Sequence, residues 1–96
     1  MELRVQGRKT YAATGGKPFD PTQPAIVFLH GAGMDHTAWA LHDRYFAHHG
    51  FSVLAPDLPG HGRSAGAPLK TIADMADWTV ALIAAAGATR AKLIGH

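Results

Sequence analysis

Three short apolar runs, each of strand length and each ending at a breaker, constrain this chain more than any other feature. They are Ala25–Leu29 before His30-Gly31, Phe51–Ala55 before Pro56-Asp57, and Ala91–Ile94 before Gly95-His96. The continuous run Ala25-Ile26-Val27-Phe28-Leu29, rich in β-branched residues, predicts a strand buried on both faces, as in a parallel sheet covered by helices. Helical patterns separate the runs. Thr37 can cap a helix reaching about His49, carrying Trp39, Leu41 or His42, Tyr45 and Phe46, with Gly50 as its stop. Thr71 with Asp74 resembles a capping box, and Ile72, Met75, Ala76, Thr79, Leu82, Ile83 and Ala86 recur at helical spacing until Gly87. Ahead of all of these, Leu3–Gln6 and Lys9–Thr14 flank Gly7 and predict an antiparallel pair at a sheet edge. The order is β-β-β-α-β-α-β, an α/β fold. Right-handed crossovers make the last three strands parallel.

Length and charge exclude several functions. With 96 residues there is room for one domain at most. The net charge of +2 comes from scattered basic residues, so no nucleic-acid partner is expected. There is no cysteine, hence no disulfide framework and no thiolate metal site. Seven histidines raise the question of a metal, but none forms a Glu-x-x-His or His-x-x-x-His pair, so no metal site is expected. The start lacks an apolar signal region, and no apolar run is long enough to span a bilayer. A cytoplasmic location without a membrane partner is the expectation.

Two motifs mislead when taken singly. Gly31-x-Gly33 after a strand, with Asp57 at the end of the next, imitates a dinucleotide fingerprint. His36 stands where its third glycine should be, and a side chain there obstructs close helix–strand packing. Gly62-Arg63-Ser64-Ala65-Gly66 satisfies the G-x-S-x-G string, but a nucleophile elbow needs a buried strand before the serine and a helix directly after it. Here Pro59-Gly60-His61 precedes and Pro68 follows, so Ser64 reads as a loop serine bonded to nearby backbone.

Taken together, His30-Gly31-Ala32-Gly33, Asp57-Leu58-Pro59-Gly60-His61-Gly62-Arg63-Ser64 and Leu93-Ile94-Gly95-His96 resemble the first part of an α/β-hydrolase. The likeness covers nearly the whole chain. It implies the N-terminal part of a hydrolase sheet, three parallel strands with crossover helices plus the antiparallel pair. Residues 1–96 would then be the N-terminal segment of a single core domain whose remainder lies downstream. The resemblance makes the residue after His96 the nucleophile, most often within Gly-His-Ser-x-Gly, and Ala32 the donor of one oxyanion N–H. Gly31, Gly33 and Met34 would border the substrate.

Such a turn suits the chemistry. Negative charge grows on the carbonyl oxygen during acyl transfer, and fixed N–H groups aimed at it lower the barrier. His30, Asp57, Arg63 and His61 read as residues that order the loops, and Trp39 and Trp78 as core residues. The implied activity is serine hydrolysis of an ester, lactone or related carbonyl compound through an acyl-enzyme, with no cofactor. The implied partners are a small ester-like substrate and the rest of the same domain. An aspartate nucleophile would instead make an epoxide or haloalkane hydrolase, although that branch usually resembles His-Gly-x-Pro where Gly33 stands. The fold also serves as a non-catalytic ligand receptor. The segment by itself would be inactive, and its last strand would present an unpaired apolar edge.

Overall fold

The computed structural model describes residues 1–95; His96, which ends the Gly-His motif, lies outside them. Strand β1 (Glu2–Val5) turns into β2 (Arg8–Ala13), with β3 at Ala25–Leu29. A 3-10 turn at His36–Trp39 then leads into α1 (Ala40–Ala47), followed by β4 (Ser52–Pro56), α2 (Ile72–Ala85) and β5 (Lys92–Gly95). The sheet order is β1-β2-β4-β3-β5. Strand β3 lies between β4 and β5 and pairs in parallel with both, and β2 joins β4 antiparallel. The expected α/β arrangement of three parallel strands and an antiparallel pair is therefore present.

Alternation along the strands divides the core. Ile26 and Phe28 of β3 join Val53 and Ala55 of β4 on the face that also buries Trp39 and Ala47. Val27 and Leu54 point the other way, against Trp78 and Leu82 of α2. Both faces of the central strands are covered, which explains why their sequences are apolar throughout.

Several boundaries differ from the sequence reading. Gln6 belongs to the turn, not to β1: Gln6 (φ +52°) and Gly7 (φ +75°) both adopt left-handed backbone, as tight hairpin turns require. The first helix is capped by Asp35 and not by Thr37. Extended backbone at Asp35 lets its carboxylate accept the Thr37 N–H at 2.9 Å, and the Thr37 hydroxyl donates to the same oxygen. That helix ends at Ala47, before His49, because the Phe46 carbonyl accepts from both the His49 and Phe51 N–H groups and turns the chain out.

Helix α2 starts as expected, with the Thr71 hydroxyl accepting the Asp74 N–H at 3.0 Å, and Gly87 (φ +84°) follows its end. Its buried face is centred on Trp78, Thr79 and Leu82, which leaves Ala76 exposed and Ile72 88% exposed. At about 100° per residue, burying Trp78 rotates the helix so that Ile72 and Ala76 fall on the rim. Strand β5 forms one edge of the sheet, with Leu93 55% and Ile94 37% exposed. Among the described residues no helix is long and apolar enough to cross a membrane.

Candidate active site

Strand β3 delivers His30 and the turn after it to the carboxyl edge of the sheet, where ligands of parallel α/β sheets bind. The turn closes by a bond from the Met34 N–H to the Gly31 carbonyl at 3.1 Å, and Gly33 has φ +76°. An added Cβ at Gly33 meets nothing within 4 Å. Its glycine answers a conformational need, since L side chains rarely adopt this backbone.

Two histidines tie the turn to the loop after β4. His30 is buried, and its Nε2 accepts the Leu58 N–H at 2.9 Å. Its ring proton therefore sits on Nδ1, 2.8 Å from the Gly31 carbonyl to which it donates. His61 repeats the arrangement: Nε2 accepts the Gly33 N–H at 3.3 Å, and Nδ1 donates to the Pro59 carbonyl at 3.0 Å. The two rings lie 5.0 Å apart.

Beneath them, Asp57 is fully buried and ties the 3-10 turn to the loop after β4. Oδ1 accepts the His36 N–H at 2.6 Å and His36 Nδ1–H at 2.9 Å, while Oδ2 accepts the Arg63 N–H at 2.8 Å. Tyr11 packs edge-on against His36, and the Arg63 guanidinium lies 4.9 Å from the Tyr11 ring centre. Ser64 Oγ accepts the Tyr11 N–H at 3.0 Å, fixing the same loop to β2. Asp35, His36 and Asp57 bring potential ligand atoms within 4.8 Å of one another. Their hydrogen bonds account for this closeness: Asp57 serves His36 and Arg63, and Asp35 serves the helix cap. Those Thr37 bonds, the hydroxyl first and the N–H second, hold the Asp35 carboxyl below the usual carboxylate range.

Of the residues singled out beforehand, Gly33 and Met34 line an open cavity of about 560 Å³, shared with Asp35, Thr37, Gly60 and His61. Ala32 is exposed at the tip of the turn. Among the described residues no acceptor takes its N–H, whereas the next two N–H groups along the turn are engaged, Gly33 by His61 and Met34 by Gly31. Gly31 stands one step back, its carbonyl receiving both the His30 Nδ1 and Met34 N–H bonds. The ring of His61 and the Gly60 and Gly62 backbone form the cavity wall opposite Gly33 and Met34. Sequence reasoning assigned His61 to loop ordering and missed its link to the turn, for which a separation of 28 positions gave no local signal.

Both imitations lose their chemical basis here. A ribose-binding acid must face the ligand, yet the Asp57 oxygens point inward to N–H groups. Ser64 is buried with its Oγ bonded to β2 and no helix directly after it.

Residues 26–96 match the model of the alpha/beta hydrolase family. The chain belongs to that family. It is 35% identical over 72 residues to an (E)-2-((N-methylformamido)methylene)succinate hydrolase of Acinetobacter baylyi, a match that covers 74% of this chain and 27% of the relative. It is 45% identical over 58 residues to a 2-succinyl-6-hydroxy-2,4-cyclohexadiene-1-carboxylate synthase of Salmonella paratyphi C, covering 60% and 22% respectively. The chain thus spans about a quarter of the length of these curated relatives. Among solved alpha/beta hydrolase-like structures, an epoxide hydrolase from Vigna radiata superposes with a TM-score of 0.83 at 27% identity, over 100% of this chain and 31% of the other. A bacterial membrane phospholipase A shares the fold, with a TM-score of 0.86 at 24% identity, over 100% of this chain and 30% of that one.

Proposed function

We propose that this chain is the N-terminal segment of a serine hydrolase core domain that cleaves a carboxylic ester, lactone or related carbonyl compound. The observation that carries the reading is the Ala32 N–H, exposed and without an acceptor among the described residues, while the two N–H groups that follow it in the turn, Gly33 and Met34, are committed. A donor held by the fold and left open stabilises an oxyanion without having to reorganise. Gly33 and Met34 border the substrate, and Gly31 shapes the turn.

The register supports the second half of the machinery. Leu29 pairs with Gly95, so a chain continuing past β5 leaves the sheet beside the His30 turn. The nucleophile is proposed to follow His96 directly. A serine there attacks the carbonyl carbon while a histidine further along accepts its proton. The tetrahedral oxyanion collapses, the leaving group departs with that proton, and water resolves the acyl-enzyme. No cofactor is required, and residues 1–96 without the remainder of the domain are inactive. The reading includes a cytoplasmic location, a small ester-like substrate, and neither a nucleic-acid nor a membrane partner.

Likeness to an epoxide hydrolase favours a second reading, an aspartate nucleophile that opens an epoxide or displaces halide. Gly33 in place of that branch's proline weighs against it. A non-catalytic receptor built on the same fold is the third. The first residue beyond His96 separates serine from aspartate. Treating the polypeptide that extends past it with a fluorophosphonate should give a covalent adduct and hydrolysis of p-nitrophenyl esters. Failure of both reactions with an aspartate at that place favours the second reading; with a serine there, it favours the receptor.

A further inference from the structure

The turn carries three consecutive N–H groups, and their fates differ. Met34 donates within the turn, Gly33 donates across a gap to His61, and Ala32 has no acceptor among the described residues. Which N–H remains available thus depends on a side chain from another loop. That side chain is itself held: Nδ1–H of His61 is anchored on the Pro59 carbonyl, and its ring faces that of His30 at 5.0 Å.

We propose that His61 is a positioning residue: by accepting the Gly33 N–H it orients the turn so that Ala32 presents the free donor, and protonation of its ring releases the turn. The oxyanion role of Ala32 rests on the function proposed above; the latch itself does not. At 3.3 Å the bond is long and therefore easily exchanged. A protonated ring carries hydrogen on both nitrogens, so Nε2 then meets the Gly33 N–H donor to donor.

Titratable groups lie around the ring. His30 faces it from the turn, and Asp35 shares the cavity wall. From its own loop, Asp57 is engaged by His36 and Arg63, and the Arg63 guanidinium lies over Tyr11. Acidification that protonates either histidine removes an acceptor, from Leu58 at His30 and from Gly33 at His61.

Nitrogen-edited NMR of the chain tests the latch without substrate or nucleophile. The imidazole spectrum should show His61 as the Nδ1–H tautomer, and the Gly33 amide should titrate together with the His61 ring. His61→Ala should speed Gly33 amide exchange by about tenfold, the effect of losing one modest hydrogen bond, while Val27 and Leu54 stay protected. His61→Gln, whose side-chain carbonyl can accept, should restore protection and abolish the titration. An Nε2–H tautomer, or a Gly33 amide indifferent to pH and to His61→Ala, would overturn the proposal. Should the alanine variant not fold, tautomer and titration of the unsubstituted protein decide it. A latch that fails here leaves the hydrolase reading standing, and a chain without hydrolase activity leaves the latch standing.

Discussion

Gly62 has φ +48°, and a Cβ added there would fall 2.7 Å or less from the carboxyl carbon and both oxygens of Asp57. Those oxygens are fixed by the His36 and Arg63 N–H groups, so the carboxylate has no room to yield. Gly62→Ala should therefore lower stability by roughly 1–3 kcal/mol, the usual cost of forced backbone strain, measured as a shift in urea midpoint. Asp43 makes the opposite case. Burial pushes its carboxyl above the usual range, more than the Arg44 N–H and the nearby His36 and His42 pull it down. An acid whose pKa is raised by folding penalises the folded state once it ionises, and the penalty lifts as pH falls through that raised value. Asp43→Asn should accordingly raise the melting temperature at neutral pH, and its advantage should shrink on acidification. At this scale the sequence was legible where one residue dictates its own conformation, as at Gly87. It was opaque at His61, whose meaning lies in Gly33, 28 positions away.

Among the elements, α2 shows how a cap and an apolar face act together. The Thr71 hydroxyl satisfies the Asp74 N–H, one of the helix's orphan donors. Thr71→Ala should cost about 1 kcal/mol, read by chemical denaturation. Leu82 is fully buried against the sheet. Leu82→Ala should cost roughly 2–5 kcal/mol through lost burial and a residual cavity, by the same measurement. The strands were readable because burial on both faces leaves a continuous apolar run, and β3 coincides with Ala25–Leu29. The first helix was less so. Asp35 and Thr37 are both good caps at neighbouring positions, and only the extended backbone at Asp35 decides between them. Ile72 likewise fits the helical period yet is exposed, because Trp78 sets the rotation of the helix.

For the molecule as a whole, the sheet brings together what the sequence keeps apart. The turn after β3, the loop after β4 and the end of β5 meet at one edge because three strands run parallel around β3. Family membership follows from residues 26–96, and the relatives are about four times longer than the matched stretch. The cavity between Met34 and His61 is open, and what encloses a substrate there belongs to the chemistry proposed for the whole domain. The most direct test of that chemistry is the amide spectrum of the polypeptide continuing past His96, recorded before and after fluorophosphonate treatment. A phosphonyl oxygen occupying the anion socket should move the Ala32 amide strongly and leave Gly33 bonded to His61. A labelled protein whose Ala32 amide does not shift, or one whose Gly33 amide shifts in its place, would contradict the account.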